Sequence, residues 1–231
     1  MASRSGHWSA ILGLGLLVGA ANLGMAARLY LPNPAGTAGF VATRLWILLL
    51  PVVWFLRVER RRLTLQKPTQ AEGYSGLGLG VAMMGIILGA YWFAGRSLID
   101  AATVQGTAEP LELLDPIRFG VFAAYFTFVN AFVEEYVWRW FVYRQCERLL
   151  SGFAAVGLSA VCFTLHHIIA LQGYVGNVWV TVIGSAGVFL AGLIWSICYL
   201  KYRSLWAGYI SHLLADLAIA IAAAHALFVL D

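Results

Sequence analysis

Two adjacent acids, Glu134 and Glu135, lie within a strongly apolar stretch of the sequence. An ionisable side chain costs at least about 2.5–3.5 kcal/mol at the centre of a membrane span, so such residues usually mark a functional site. Arg139 follows Glu135 by four residues, which places the two on one helix face, where they can pair. Glu134 points about 100° away around the helix. The spacing predicts a supporting Glu135–Arg139 pair and a free glutamate, Glu134, with partners on other helices.

Other ionisable residues recur in two later apolar stretches, His166 and His167 in one, and His212 and Asp216 in the other. A carboxylate shielded by an apolar bundle can act as a general base on water, and a nearby imidazole can hold that water. Further donors can stabilise the oxyanion that forms when water attacks a carbonyl. No Gly-x-Ser-x-Gly motif indicates a serine nucleophile. This set, with Glu134 as the base, favours amide hydrolysis without a covalent intermediate.

Three other kinds of chemistry suit these residue types. Carboxylates and imidazoles bind divalent metals, but the His-Glu-x-x-His spacing is absent, and only His212 and Asp216 offer two ligands four residues apart on one helix. A haem held by His212 and by His166 or His167 would leave the adjacent acids without a role. A chain of Glu, His and Asp side chains could also carry protons or ions. We expect no cofactor, with a divalent metal as the alternative.

The remaining polar and small residues favour structural roles. His7 and His225 lie near the ends of apolar stretches and are interpreted as packing residues, and Arg44 as the partner of a helix end or of an acid. Glycines at close spacing predict close helix packing through small residues, at Gly13, Gly15, Gly19, Gly76, Gly78, Gly80, Gly85 and Gly89.

The composition predicts the elements that position these residues. Of the 231 residues, 61% are hydrophobic and 11% are charged, against about 45–50% and about 25% in soluble domains. The apolar runs are too long for barrel strands, so helices must span the membrane. We predict an all-α, polytopic bundle forming a single integral membrane domain, 1–231, with seven spans near residues 8–31, 40–56, 74–98, 117–143, 152–171, 178–200 and 205–230.

The distribution of cations predicts the orientation of the chain. Most of the Lys and Arg residues outside the spans fall on one side, whereas the opposite connection, 100–115, carries acids and no cation. The positive-inside rule therefore places the N-terminus in the cytoplasm and the C-terminus outside. The net charge of +4 follows from this topology and gives no reason to expect nucleic acid. The cations on the predicted cytoplasmic side are Arg4, Arg57, Arg60, Arg61, Arg62, Lys67, Arg144, Arg148, Lys201 and Arg203.

Three motifs in order resemble the CPBP family, the intramembrane CAAX-processing and bacteriocin-processing endopeptidases. The first is Glu-Glu-x-x-x-Arg, from Glu134 to Arg139; the second is Phe-x-x-x-His, from Phe163 to His167; the third is His-x-x-x-Asp, from His212 to Asp216. The resemblance covers the predicted core, 117–220. It does not extend to the first three spans.

The resemblance implies a glutamate-dependent endopeptidase with Glu134 as the general base and His167 assisting the water. It implies that His212 and Asp216 lie on the oxyanion side, with Glu135, Arg139 and His166 as supporting residues. The spacing from Phe163 favours His167 over His166. Two residues depart from the family pattern: Trp140 stands where glycine is usual, which puts the typical substrate groove in doubt, and Asp216 where asparagine is common. An aspartic acid can donate to an oxyanion only when protonated, or else it orients His212.

Counting residues along each span places His167 at a different depth in the membrane from Glu134 and His212. At about 1.5 Å per residue, Glu134 lies about 15 Å from the cytoplasmic end, His212 about 12 Å and His167 about 22 Å. Helix tilt, or a later start to the fifth span, must bring His167 inward.

The sequence predicts an intramembrane protease that cleaves a membrane-associated protein, with the lipid bilayer as its other partner. A bacterial inner membrane location is expected, where a C-terminal sorting segment or a CAAX-like segment would be the substrate. The rival functions are a non-catalytic immunity or scaffold protein of the same fold, and a proton-coupled carrier.

Overall fold

The computed structural model describes residues 4–60 and 66–230, and within them the chain is almost entirely helical with no strand. The predicted cytoplasmic cations Arg61 and Arg62 lie outside the described residues. The main helices, numbered in chain order, are α1 (Arg4–Tyr30), α2 (Ala35–Val58), α3 (Gln70–Leu98), α4 (Ala101–Ala108), α5 (Pro116–Leu149), α6 (Gly152–Val175), α7 (Val178–Tyr202) and α8 (Trp206–Phe228).

Seven of these helices, all except the short α4, are long and apolar enough to cross a membrane. The chain is therefore an integral, multi-pass, all-α membrane protein, as predicted. The clearest difference in bounds is in α5, which continues past the predicted end at residue 143 to Leu149. Arg144 and Arg148 belong to this last part of the helix, because long basic side chains favour helix and can reach polar partners at its end.

Helix α5 lies at the centre of the bundle and contacts α1, α2, α6, α7 and α8. Around it, α1 packs along α2, α3 along α8, and α6 along α7. The larger core cluster surrounds α5 and draws residues from every other membrane-spanning helix; its aromatic members on α5, α6 and α7 include Trp138, Phe141, Phe163, Trp195 and Tyr199. Every helix that carries a motif residue therefore touches α5.

Only some of the closely spaced glycines serve the predicted helix packing. An added Cβ would lie 2.8 Å from Cβ of Ile210 at Gly76 and 2.6 Å from Cδ1 of Leu214 at Gly80, so α3 and α8 approach closely through these two positions. Gly13 is also tight, since its Cβ would lie 3.2 Å from the Trp54 ring. The prediction is wrong for the glycines whose added Cβ would meet open space, namely Gly15, Gly19, Gly78, Gly85 and Gly89.

The predicted basic connections meet at one end of the bundle. Glu59, after α2, accepts a hydrogen bond of 2.8 Å from Gln145 and pairs with Arg148 at 3.3 Å and Arg144 at 3.5 Å. Arg203, after α7, pairs with Glu147 at 2.5 Å. These contacts tie the ends of α2, α5 and α7 together.

The acidic connection lies at the opposite end, where Asp100 caps α4. Its carboxylate accepts hydrogen bonds from the backbone N and from Oγ1 of Thr103, at 3.0 and 2.5 Å. These bonds stabilise the ionised form and hold the pKa of Asp100 below its usual value. Asn177 and Gln105 fasten the same end by donating to the backbone carbonyls of Leu98 and Leu227.

Helix α5 contains two π-helical segments, Tyr125–Asn130 and Glu135–Tyr143, on either side of the α-helical turn Ala131–Glu134. Such segments are rare and occur frequently at functional sites. Glu134 ends the α-helical turn between them and Glu135 begins the second segment, so the helical period changes at these two acids.

Candidate active site

Glu134 is the meeting point of residues from three helices. Its side chain projects from α5 and is buried, with 7% of the residue exposed. Its Oε2 lies 3.5 Å from Nε2 of His212 on α8 and 4.0 Å from Nε2 of His167 on α6. The free glutamate therefore finds partners on the two other helices that carry motifs.

His167 is held by its own helix in the orientation that faces Glu134. Its Nδ1 donates to the backbone carbonyl of Phe163, one turn earlier, at 2.9 Å. This bond uses Nδ1 and leaves Nε2 directed at Glu134. His167 is brought inward, as the sequence analysis required, since its Nε2 lies 4.0 Å from Oε2 of Glu134. Helix α6 begins at Gly152, as predicted, so a later start to the span is not the cause.

His212 is surrounded by three carboxyl groups. Its Nδ1 donates to Oε1 of Glu135 at 3.0 Å, and its Nε2 lies 3.5 Å from both Glu134 Oε2 and Asp216 Oδ1. The ring stacks on Trp195 of α7, with centroids 3.8 Å apart and planes at 13°. This stack and the Glu135 bond fix the plane of the imidazole.

Glu135 and Arg139 form the pair predicted from their spacing, with Nη1 and Oε1 3.5 Å apart and both side chains 1% exposed. The guanidinium lies over two aromatic rings, 4.4 Å from the centroid of Phe163 and 5.1 Å from that of Trp195. Such cation–π contacts favour a buried cation. Glu135 thus links Arg139 to His212.

Gly208 provides the space for the Glu135 carboxylate. It precedes His212 by one helical turn on α8, and an added Cβ at this position would overlap Oε2 of Glu135. A side chain at residue 208 would therefore push Glu135 away from the His212 ring.

His166, beside His167 in sequence, faces a different environment. Its ring stacks on Trp138 of α5 with centroids 4.8 Å apart and planes at 5°. It is buried, and its Nδ1 makes no hydrogen bond to any of the described residues. It lines a small cavity together with Glu134 and Arg44.

Among the described residues, one group has the donors for a metal ion. Glu134, His166 and His167 each offer a ligand atom, and these atoms lie within 4.8 Å of one another. Arg44 lines the same cavity as Glu134 and His166, and its positive charge opposes a cation there. This trio differs from the His212–Asp216 pair considered from the sequence.

The structure brings Glu134, His167, His212 and Asp216 into one cluster, with Glu135 against Arg139. Of the four, only Glu134 lines the small cavity, whose other polar walls come from Arg44 and His166. Arg44 lines the same cavity as Glu134, and its guanidinium carbon lies 4.8 Å from the centroid of the Phe40 ring.

The structure also gives the contacts of two other residues singled out in the sequence, His225 and Trp140. His225 is bound to Tyr91 through Nδ1 at 2.8 Å and is packed against Trp92, as expected of a packing residue. Trp140 stacks on Tyr136, with centroids 5.4 Å apart, and packs against the tilted ring of Phe55 at 4.9 Å. This aromatic run fastens α5 to α2, where the family's usual glycine would leave space.

Three residues of the site were missed by the sequence reasoning. Asn130, one turn before Glu134, interacts with the carboxyl groups of both Glu134 and Asp216, and Gly208 stands one turn before His212. Both follow the four-residue spacing that located the motifs, so that signal could have found them. Trp195 belongs to no motif, and nothing in the local sequence of α7 indicates it.

Comparison with known proteins bears on the same part of the chain. Residues 116–218 match the family model described as "Type II CAAX prenyl endopeptidase Rce1-like". The matched segment contains all three motifs and excludes α1, α2 and α3. No curated protein and no solved structure matches the chain. The match supports a CAAX-type intramembrane protease with a protein substrate. It agrees with the resemblance drawn from the motifs: residues 116–218 of this membrane protein are similar to the Rce1-like endopeptidases of the CPBP family.

Proposed function

We propose that the protein is an intramembrane endopeptidase that hydrolyses a peptide bond of a membrane-associated protein with water activated by Glu134. The observation that carries this proposal is the position of the Glu134 carboxylate. It is buried, has no cationic partner one turn away on its own helix, and lies within 4.0 Å of ring nitrogens from two other helices.

In the first step a water molecule between Glu134 and His167 loses a proton to the Glu134 carboxylate. The Nε2 of His167 is free to hold this water because Nδ1 is already bonded to the Phe163 carbonyl. The water oxygen attacks the carbonyl carbon of the peptide bond, and the carbonyl oxygen becomes an oxyanion. A positioned general base of this kind contributes about 10²–10⁴-fold to a rate.

The oxyanion forms on the side of His212 and Asp216. In its protonated form His212 donates from Nδ1 to Glu135 and from Nε2 toward the gap between Glu134 and Asp216, where the negative charge develops. Donors that are already oriented stabilise such a charge without reorganisation. The intermediate then collapses, the C–N bond breaks, and Glu134 returns its proton to the leaving amine.

Glu135 and Arg139 act through His212. Glu135 fixes the His212 ring through Nδ1, and Arg139 balances the charge of Glu135 from between two aromatic rings. They are positioning residues in this mechanism. Their burial supports this role, since exposure to water would loosen both contacts.

The substrate is a membrane-tethered protein, cleaved near a C-terminal CAAX-like or sorting segment. The Rce1-like family supports this class of substrate. The location of the site among apolar helices supports a substrate that reaches it from the bilayer. We also propose a bacterial inner membrane location with the basic end of the bundle, around Glu59 and Arg148, in the cytoplasm.

The test is cleavage of a lipidated C-terminal peptide by the purified chain in proteoliposomes, with the product masses measured. Glu134→Gln keeps the size of the side chain and removes the base, so kcat should fall by about 10²–10⁴-fold. The matched control is Glu109→Gln, an exposed acid in the connection after α4, which should cleave as the original chain does. Full cleavage by Glu134→Gln would refute the mechanism.

A further inference from the structure

Asn130 lies one helical turn before Glu134 on α5. On α8, which packs against this part of α5 and runs in the opposite direction, Asp216 lies one turn after His212. Glu134 and His212 meet at 3.5 Å. One turn further along the same interface, Asn130 and Asp216 therefore face each other. The Asn130 side chain interacts with the carboxyl groups of both Glu134 and Asp216, so it borders the gap that Nε2 of His212 faces.

Asn130 stands on a part of α5 that the rest of the bundle leaves uncovered. Most of the residues between positions 117 and 132 are exposed or partly exposed, Asn130 among them. Glu134 and Asp216 are buried, with 7% and 4% of each residue exposed. A peptide that lies along this half of α5 would therefore meet the Asn130 side chain beside the Glu134 carboxylate.

The side chains around this gap differ in when they can donate a hydrogen bond. A neutral His212 uses its one N–H on Glu135, so its Nε2 donates only when the ring is protonated. Asp216 donates only as the protonated acid. The amide of Asn130 has two N–H donors in every protonation state of its neighbours. Because those neighbours accept when they are ionised, the NH2 group faces the gap and the amide carbonyl turns away from it.

We propose that Asn130 is a further catalytic residue, which donates one side-chain N–H to the oxyanion and the other to Asp216. The inference rests on the proposed function, and the attacking water stays between Glu134 and His167. Before the reaction the first N–H is directed at the Glu134 carboxylate. When Glu134 takes the proton of the water, it loses its negative charge and the substrate carbonyl oxygen gains one. Hydrogen bonds to a charged acceptor are about twice as strong as neutral ones, so this N–H turns from Glu134 to the oxyanion.

The first test removes the amide. Asn130→Leu has a similar size without any donor, and Asn130→Asp keeps the shape but only accepts when it is ionised. Each variant should lower kcat by about 10²–10³-fold, the usual cost of losing one oxyanion donor, with little change in KM. Asn33→Asp is the matched control and should cleave as the original chain does, because residue 33 is exposed and an aspartate there still accepts the bond from Thr37.

The second test moves the amide across the gap. Asn130→Asp combined with Asp216→Asn keeps one acid and one amide but exchanges the helices that carry them. Because an amide again faces the oxyanion, the double variant should recover most of the kcat that Asn130→Asp loses.

The third test separates an oxyanion donor from a residue that only holds the fold together. The inhibitor is the substrate peptide with an aldehyde at the scissile carbonyl, whose hydrate resembles the tetrahedral intermediate. Its inhibition constant should rise in Asn130→Leu by about the factor by which kcat/KM falls, because both report binding of the transition state. The Kd of the uncleaved peptide, measured in the Glu134→Gln background with and without Asn130→Leu, should stay the same.

Several outcomes would overturn the inference. They are an unchanged kcat in Asn130→Leu, a double variant no better than Asn130→Asp, or an inhibition constant of the aldehyde that does not change. In those cases cleavage that still depends on Glu134 would leave the proposed function standing. Absence of any cleavage by the original chain would overturn both. Thermal unfolding in detergent checks that each variant keeps the fold, and Asn130→Leu, which adds no charge within the membrane, decides the question if Asn130→Asp does not fold.

Discussion

The Oε2 atom of Glu134 lies 3.5 Å from Nε2 of His212, while Nδ1 of the same ring is bonded to the neighbouring Glu135. The two adjacent acids therefore contact opposite nitrogens of the same His212 imidazole and have different partners. Glu135 is committed to His212 and Arg139, whereas Glu134 keeps an oxygen directed at the rings of His167 and His212. This division underlies the proposal that Glu134 is the base.

Substitutions at Asp216 test whether this residue helps to stabilise the oxyanion. Its Oδ1 lies 3.5 Å from Nε2 of His212, where the family commonly has asparagine. Asp216→Asn places an amide donor at this point, so cleavage should be retained or increased. Asp216→Leu removes all polar character and should lower kcat by about 10²–10³-fold, the usual cost of losing one oxyanion donor. Equal activity of the Asn and Leu variants in the peptide assay would exclude an oxyanion role for residue 216.

Gly208→Ala tests the close packing of Glu135 against α8. The new Cβ would overlap Oε2 of Glu135 and move this carboxylate away from His212. We expect a loss of about 1–3 kcal/mol in unfolding free energy, as is typical of overpacking, together with a lower kcat. The control is Gly187→Ala on α7, where an added Cβ meets open space. Thermal unfolding and cleavage rates that match those of the control would show that Glu135 does not need this gap.

Because the Glu135–Arg139 pair is buried, we expect that replacing Arg139 alone lowers stability more than replacing both residues. Arg139→Leu leaves the Glu135 carboxylate buried without its cation, which should cost about 3–5 kcal/mol of stability. Combining it with Glu135→Gln removes the unbalanced charge and should recover part of that loss. Melting temperatures in one detergent give the comparison. A double variant no more stable than Arg139→Leu would mean that charge balance is not what the pair provides.

The proposed mechanism needs no metal, and this can be measured directly. Protein purified in active form should carry clearly less than one divalent metal ion per chain, and chelators should leave the rate of cleavage unchanged. The positive charge of Arg44 beside Glu134 and His166 is the physical reason. Stoichiometric metal together with inhibition by a chelator would instead assign Glu134, His166 and His167 to a metal site.

Contacts within one helix were predictable from the sequence. The Glu135–Arg139 pair and the contact between His167 and Phe163 follow from four-residue spacings, since residues that far apart share a helix face. The seven spans followed from the length and apolarity of the runs. Both kinds of inference depend only on local geometry, which helices obey with little variation.

Predictions that compared different helices were less successful. Counting along the spans set His167 too far from Glu134, because the count assumes parallel, untilted helices. The glycine pattern was interpreted as packing at eight positions, although five of these glycines meet open space. A glycine's neighbours depend on how its helix is rotated, and the spacing of glycines alone does not reveal that rotation.

The sequence by itself determined which side chains lie in the membrane and which of them share a helix face, because apolar length and helical period are local properties. Only the tertiary structure decided that Glu134 meets His167 and His212, that Trp195 stacks on His212, that Gly208 makes room for Glu135, and that Arg44 reaches the same cavity as Glu134. These contacts join different helices, so the tilt, rotation and crossing of packed helices set them.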